Sequence, residues 1–256
     1  MVFLLAVMVY STFWGRVTRF SVASKRMTAL ASFIMRYSRS GLDPIRAYLA
    51  WSIYLLTGLA GSGVLLAAFR LDLLGYSALE PRYAVFIPVG IIAQVSLSSL
   101  ILMLIASLNT KADWFSVVLN IPWVRISALL PRYLSLLYPL SGAFVEELFF
   151  RGTVFLILLI YFPQAGIVVP VLVSSVLFVI QQVLNTDSLT QGLLISIGSV
   201  TISVVGCLLI LLTGSLLPAL LCHELYAVFY VRLRQQPAGY KLPGATSFGS
   251  APGAGF

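Results

Sequence analysis

Charged residues are scarce in this chain of 256 residues: they make up 9% of it, whereas hydrophobic residues make up 60%. Soluble domains average about 25% charged and about 45–50% apolar residues. The composition of this chain differs so far from these averages that it excludes a soluble globular domain. The composition predicts an all-α, polytopic transmembrane helix bundle that contacts membrane lipid directly. It does not distinguish a bacterial plasma membrane from the endoplasmic reticulum or another organelle membrane.

Histidine and cysteine are also rare, with one histidine, His223, and two cysteines, Cys207 and Cys222. One histidine without an HExxH motif is poor support for a zinc site, and the cysteines form no CxxC pair. We therefore expect no metal and no other cofactor. Helix geometry argues against Cys222 as a nucleophile activated by His223, because side chains adjacent in sequence diverge by about 100° on a helix.

The formal net charge of +8 comes from basic residues that concentrate between the apolar runs. This distribution is typical of membrane proteins, whose basic loops remain on the cytoplasmic-type side. No basic stripe interleaved with aromatic residues is present, so we expect no nucleic-acid partner. The basic segments 15–46, 109–133 and 232–241 are predicted to lie on one side of the membrane.

Apolar runs predict about seven spans, at about 2–14, 47–69, 83–108, 137–160, 166–185, 190–212 and 216–231. The first is short for a span, and it is followed by an interfacial amphipathic segment rich in arginine and serine. We predict three parts: residues 1–46 as the short N-terminal helix with this segment, 47–232 as the bundle, and 233–256 as a Gly/Pro-rich tail. The tail has too little apolar surface to fold alone.

The fourth predicted span contains three charged residues, Glu146, Glu147 and Arg151. A charge at mid-bilayer depth costs about 2.5–3.5 kcal/mol on insertion scales, so these side chains should face protein or water. Glu147 and Arg151 have the i,i+4 spacing of an ion pair, whereas Glu146 has no partner in its own helix. Two interpretations follow: a structural pair with a second acid bonded to a neighbouring helix, or a buried general base.

Later spans add further polar groups that should face inward, since lipid offers them no partner. The sixth carries small residues at packing spacing, which we interpret as a helix contact surface. The seventh contains His223 and Glu224. The fifth carries a polar stripe made of Ser174, Phe178, Gln181, Gln182 and Asn185.

The run Glu146-Glu147-x-x-x-Arg151 resembles the first motif of the CAAX-protease and bacteriocin-processing family of intramembrane peptidases. The runs 174–178 and 213–223 resemble the approaches to its middle and last motifs, so the resemblance covers about 137–230. It implies that a glutamate and a histidine activate water, while a second histidine and an asparagine support the oxyanion. It also implies a prenylated CAAX protein or another hydrophobic peptide as substrate.

Two family positions differ here, because the middle motif ends in Gln182 instead of histidine and the last ends in Ala227 instead of asparagine. Glutamine cannot shuttle a proton, and alanine offers no side-chain donor. Such losses typically cost about 10²–10³ in rate for an oxyanion donor and about 10²–10⁴ for a proton-transfer partner. Gln181, Tyr226 or Glu224 would have to compensate. The catalytic residues implied by the resemblance are Glu146, Glu147, Arg151, Gln182 and His223.

Three hypotheses remain at this point. The first is a membrane protein with the peptidase fold and with weak or lost peptidase activity, which would make it a pseudoenzyme in the extreme case. The second is a non-catalytic structural or assembly subunit of a larger membrane protein complex. The third is an ion or proton pathway built on Glu146, Arg151 and His223. An active enzyme needs substitutes for the missing histidine and asparagine, whereas a scaffold does not.

Overall fold

The computed structural model describes residues 2–38, 40–78, 80–108 and 113–234. The structure is 85% helical, and its described residues form no strand, so the all-α prediction is confirmed. Eleven α-helices lie in these ranges: α1 Val2–Ala23, α2 Lys25–Met35, α3 Leu42–Phe69, α4 Phe86–Leu108, α5 Trp114–Leu119, α6 Pro122–Ser127, α7 Arg132–Glu146, α8 Leu156–Tyr161, α9 Val168–Val183, α10 Leu189–Thr213 and α11 Leu217–Arg234.

Three helical segments of the described chain are long and apolar enough to cross a membrane: Leu42–Phe69, Pro81–Ser107 and Leu189–Thr213. Val168–Val183 and Leu217–Phe229 are apolar but shorter. The seven predicted spans are therefore not established. The others fall short for physical reasons, since α1 carries Arg16 and Arg19 and the run from α7 to α8 contains the three buried charges.

The N-terminal helix is longer than the predicted run of residues 2–14, because α1 continues through the first arginines to Ala23. One face of α1 is buried, with Trp14 fully enclosed and Val7 2% exposed. The helix ends before Ser24, whose hydroxyl accepts a hydrogen bond from the backbone N–H of Arg26 and caps α2. The predicted interfacial segment is thus divided between the end of α1, helix α2 and the start of α3. The predicted tail lies outside the described residues from position 235 onward.

The acidic motif lies in one continuous helical rod made of α7, a π-helical segment Glu147–Phe155, and α8. The rod begins at Arg132 and ends at Tyr161, two residues before Pro163. The span predicted for 137–160 is close to these bounds, but no pattern in the sequence predicted the π-helical segment. In a π-helix each N–H bonds one residue further back than in an α-helix, so the helix is locally wider.

Aromatic rings of the neighbouring helices pack against the aromatic rings of the π-helical segment in this rod. Trp14 stacks on Phe150 with ring centroids 5.9 Å apart, and Phe150 contacts Phe178 at 5.1 Å. Helix α10 packs against α4, α9 and α11, with its small residues Gly192, Ser199, Ser203 and Gly206 buried. The predicted polar stripe of α9 also faces inward, since Ser174 and Gln181 are fully buried.

Candidate functional site

The ion pair predicted from the i,i+4 spacing is present and fully buried. Arg151 Nη1 lies 3.3 Å from Glu147 Oε1, and neither residue is exposed. The guanidinium group also lies over the Phe178 ring, with Cζ 4.3 Å from the ring centroid, so it makes a cation–π contact. The π-helical segment therefore holds both charges inside the bundle.

His223 of α11 lies between the two glutamates. Its Nδ1 is 2.9 Å from Glu147 Oε1, and its Nε2 is 3.5 Å from Glu146 Oε2. His223 therefore contacts both glutamates, and its contact with Glu147 is the shorter of the two. His223 and Glu146 are 5% and 8% exposed, so both groups meet at a largely enclosed place.

Glu146 has partners on other helices, as the first of the two interpretations of its spacing expected. The Tyr54 hydroxyl of α3 donates a hydrogen bond to Glu146 Oε1. The Gln181 amide donates to the Tyr54 oxygen at 2.9 Å, so the three side chains form a chain of hydrogen bonds. The sequence analysis did not predict a role for Tyr54, because a single tyrosine in an apolar run is no signal of a functional site. It lies on a helix outside the region of family resemblance.

The two positions that depart from the family pattern both face the same space. Gln182 lines the cavity described below, as Glu146 does. Ala227 lines the same cavity from α11. Tyr226 also lines it, with its ring beside Gly198 of α10. Glu224 is partly buried and does not line the cavity.

A cavity of about 560 Å³ extends from Glu146 and His223 to the ends of several helices. We call its acidic end the floor, formed by Tyr54, Glu146, Phe178, Gln182 and His223. Apolar and aromatic side chains form its walls, among them Trp51, Trp123, Leu129, Tyr138 and Ile202. Its opposite end, which we call the mouth, is formed by Arg19, Asp43, Arg46, Arg125 and Asp187. All five residues predicted as catalytic lie at the floor or directly behind it.

The cysteines lie away from this arrangement of side chains. Cys222 Sγ donates to the Ile87 carbonyl oxygen at 3.4 Å, so it points to α4 and not to the cavity. Cys207 is fully buried in a separate apolar cluster with Phe155 and Leu156. Among residues 2–38, 40–78, 80–108 and 113–234, no group of three or more histidine, cysteine or acidic side chains is arranged to hold a metal ion.

The apolar helices and the family match reported next fit a CAAX protease-like integral membrane protein. Residues 128–229 match the family described as Type II CAAX prenyl endopeptidase Rce1-like. The match confirms the resemblance over this segment, which contains all five predicted site residues. No curated protein and no solved structure matches the chain.

Proposed function

We propose that this protein is an intramembrane peptidase-like protein that binds a hydrophobic or prenylated peptide in its cavity and hydrolyses it weakly. One observation carries this proposal: Glu146 and His223 face each other at 3.5 Å on the floor of a chamber large enough for a small ligand. In the membrane we propose about seven crossings, with the cavity mouth on the side of the basic segments.

The contact of His223 with Glu147 determines what its other nitrogen can do. In the proposed state the imidazole is neutral and Glu147 is ionised, so Nδ1 carries the ring proton and donates a hydrogen bond to Glu147 Oε1. His223 Nε2 is then an acceptor, as is Glu146 Oε2 opposite to it. A water molecule at this place can donate to both atoms, which orients it and activates it for attack.

Hydrolysis then proceeds by general base catalysis. The water oxygen forms a bond to the carbonyl carbon of the peptide, and its proton passes to Glu146. When the C–N bond breaks, Glu146 returns the proton to the leaving amine. Glu147 and Arg151 hold His223 in the required tautomer and orientation. The Gln182 amide is the donor available to the oxyanion.

The proposed activity is weak because this machinery has fewer functional groups than the family pattern. Gln182 cannot exchange a proton, and Ala227 supplies no donor to the oxyanion. The chain of hydrogen bonds from Gln181 through Tyr54 fixes Glu146, but it adds no second base. Ala227 also favours the alternative function, a non-catalytic subunit of a membrane complex. A scaffold does not need the side-chain donor that the family's asparagine supplies at this position.

The test measures peptide release from a prenylated CAAX reporter by the full chain in lipid. Glu146→Gln and His223→Ala should both abolish the slow release shown by the unchanged protein. The double variant Gln182→His with Ala227→Asn restores the family pattern and should raise the rate about 10²-fold or more. No release from the unchanged chain or from the restored variant, with all proteins folded, would favour the scaffold.

A further inference from the structure

The Tyr54 hydroxyl on the cavity floor is used in the proposed mechanism only to hold Glu146. Tyr54 lies on α3, outside the matched segment, and its hydroxyl donates to Glu146 Oε1. The other oxygen of this carboxyl group, Oε2, faces His223 Nε2 at 3.5 Å, where the attacking water is proposed to lie. The hydroxyl is therefore one carboxyl group away from the reacting atoms, and Tyr54 lines the cavity beside Glu146.

The Tyr54 ring is fixed by contacts on more than one side. It packs against the fully buried Trp14 ring with centroids 4.9 Å apart, and Trp14 Nε1 donates to the Tyr54 carbonyl oxygen at 3.0 Å. The phenol oxygen accepts a hydrogen bond from Gln181 Nε2 at 2.9 Å. Because these contacts fix the ring, the hydroxyl proton is the part of the side chain that can change partner, by rotation about the C–O bond.

Gln181 holds the phenol oxygen from behind the floor. Its side chain is fully buried, whereas the neighbouring Gln182 lines the cavity. A phenol that accepts one hydrogen bond donates its own more strongly, because chains of hydrogen bonds polarise one another. The phenol has a single O–H, so a strong bond to a new acceptor replaces the bond to Glu146.

The location of the negative charge decides which acceptor the hydroxyl selects, since hydrogen bonds to ionised groups are roughly twice as strong as neutral ones. Before the attack this charge is on the Glu146 carboxylate. When the water oxygen bonds to the carbonyl carbon of the peptide, the water proton passes to Glu146 and the charge moves to the carbonyl oxygen. The oxyanion is then the strongest acceptor. When the C–N bond breaks, Glu146 gives its proton to the leaving amine and regains both its charge and the hydroxyl.

We propose that Tyr54 is a catalytic residue: its hydroxyl moves from Glu146 to the oxyanion and supplies the donor that Ala227 lacks, with Gln181 as its positioning residue. The proposal rests on the proposed function, because it assigns a role in the same hydrolysis. It adds a second donor to the Gln182 amide, and this donor comes from a helix outside the segment that matches the family.

The first experiment measures kcat and KM for release from the prenylated CAAX reporter by the full chain in lipid. Tyr54→Phe should lower kcat about 10²-fold with KM nearly unchanged, as the loss of an oxyanion donor does. Tyr161→Phe is the matched control, because it also removes a hydroxyl that donates to a backbone carbonyl oxygen, that of Phe69, but lies outside the cavity lining. It should leave kcat and KM unchanged.

A second background separates the oxyanion from the support of Glu146. In Ala227→Asn the asparagine amide supplies the missing donor, so Tyr54→Phe should lower kcat there by about 10-fold at most. Gln181→Met should lower kcat about 3-fold in the unchanged chain and have no further effect in Tyr54→Phe, because Gln181 acts through Tyr54. Equal losses on Tyr54→Phe in both backgrounds would mean that Tyr54 only holds Glu146, and would overturn the proposal.

The second experiment needs no turnover. A prenylated peptide with a phosphinate in place of the reacting amide carries a tetrahedral centre with an anionic oxygen, and its Kd is compared with that of the amide peptide. Because the proposed hydrolysis is slow, amide binding can be measured before turnover. Tyr54→Phe should weaken phosphinate binding about 10-fold and leave amide binding unchanged, and Tyr161→Phe should change neither. A preference for the phosphinate that survives Tyr54→Phe would overturn the proposal.

The two experiments distinguish a failure of this proposal from a failure of the proposed function. Phosphinate binding that depends on Tyr54, in a chain that releases no peptide, would contradict the hydrolysis and leave the donor assignment standing. Release that is lost in Glu146→Gln but unchanged in Tyr54→Phe would leave the peptidase standing and overturn the role of Tyr54.

Discussion

The two halves of the chain contribute to the site in different ways. Residues 128–229 match the family and supply every predicted site residue, including the buried Glu147–Arg151 pair. The first half supplies Tyr54 on the floor and all three arginines at the mouth, of which Arg125 lies just before the matched segment. Charges in a membrane span are conspicuous in a sequence, whereas a tyrosine in an apolar helix or an arginine in a basic loop is common in any membrane protein.

The charged residues at the two ends of the cavity also differ in how deeply they are buried. Glu147 and Arg151, directly behind the floor, are fully buried, whereas the Asp187 pairs at the mouth are about half exposed. Removing one partner of a buried pair leaves an uncompensated charge, but exposed pairs contribute little. Losing one partner of the buried pair should therefore cost more stability than losing one partner of an exposed pair.

The largest effect is expected for Arg151→Met, which removes the cation that pairs with the buried Glu147 carboxylate and leaves that carboxylate in contact with the His223 ring. We expect the free energy of unfolding to fall by about 3–5 kcal/mol. Denaturant unfolding in a fixed detergent measures it. If the loss is below 1 kcal/mol, the floor is no more costly to perturb than a surface, and the contrast between the two regions is broken.

A matched control for Arg151 is Arg82→Met. Arg82 Nε lies 2.7 Å from Glu80 Oε2, a shorter contact than that of the buried pair, but both side chains are more than half exposed. We expect a loss of about 0–1 kcal/mol. The double variant Glu147→Gln with Arg151→Met removes both buried charges and should recover much of the stability lost in the single variant.

The sequence predicted those parts of the fold that depend on composition. It predicted those parts of the site that consist of charged residues inside an apolar run. The apolar runs predicted the helices, and the spacing of Glu147 and Arg151 predicted their ion pair. The π-helical segment, the contact of His223 with Glu147, and the role of Tyr54 depend on how helices pack against one another. No local pattern of residues encodes these contacts, so a single sequence could not reveal them.

A second prediction tests how the first half is held against the second. A Cβ atom at Gly58 of α3 would lie 2.2 Å from Val145 Cγ1 and 2.5 Å from Trp14 Cζ2. Gly58→Ala should therefore force three helices apart and lower the free energy of unfolding by about 1–3 kcal/mol. Gly63 on the same helix has no atom within 4 Å of such a Cβ, so Gly63→Ala is the matched control and should be close to neutral. Equal thermal stability of the two variants would contradict the packing described here.

A third prediction sharpens the contribution of Tyr54. Tyr54→Phe removes the donor to Glu146 and the acceptor for Gln181, and it should cost about 1–2 kcal/mol because both groups lose a buried partner. Tyr37→Phe, at a side chain 80% exposed, is the control and should change nothing measurable. In a double-mutant cycle with Glu146→Gln, the two effects should be non-additive by at least 0.5 kcal/mol. Strict additivity would mean that the first half does not hold Glu146.

The smallest effect is expected beside the buried ion pair, where the floor still has unused hydrogen-bonding capacity. Glu147 Oε2 and Arg151 Nε have no hydrogen-bond partner among the described residues. A Cβ at Gly206 of α10 would lie 3.6 Å from Arg151 Nε and 3.7 Å from Glu147 Oε2, which is ordinary contact distance. A serine hydroxyl there can bond one of these atoms, so Gly206→Ser should raise the free energy of unfolding by about 0.5–1 kcal/mol over Gly206→Ala. The alanine variant fills the same space without the hydroxyl. Equal stability of the two would show that ordered water already satisfies the pair, because an atom with a partner gains nothing from another.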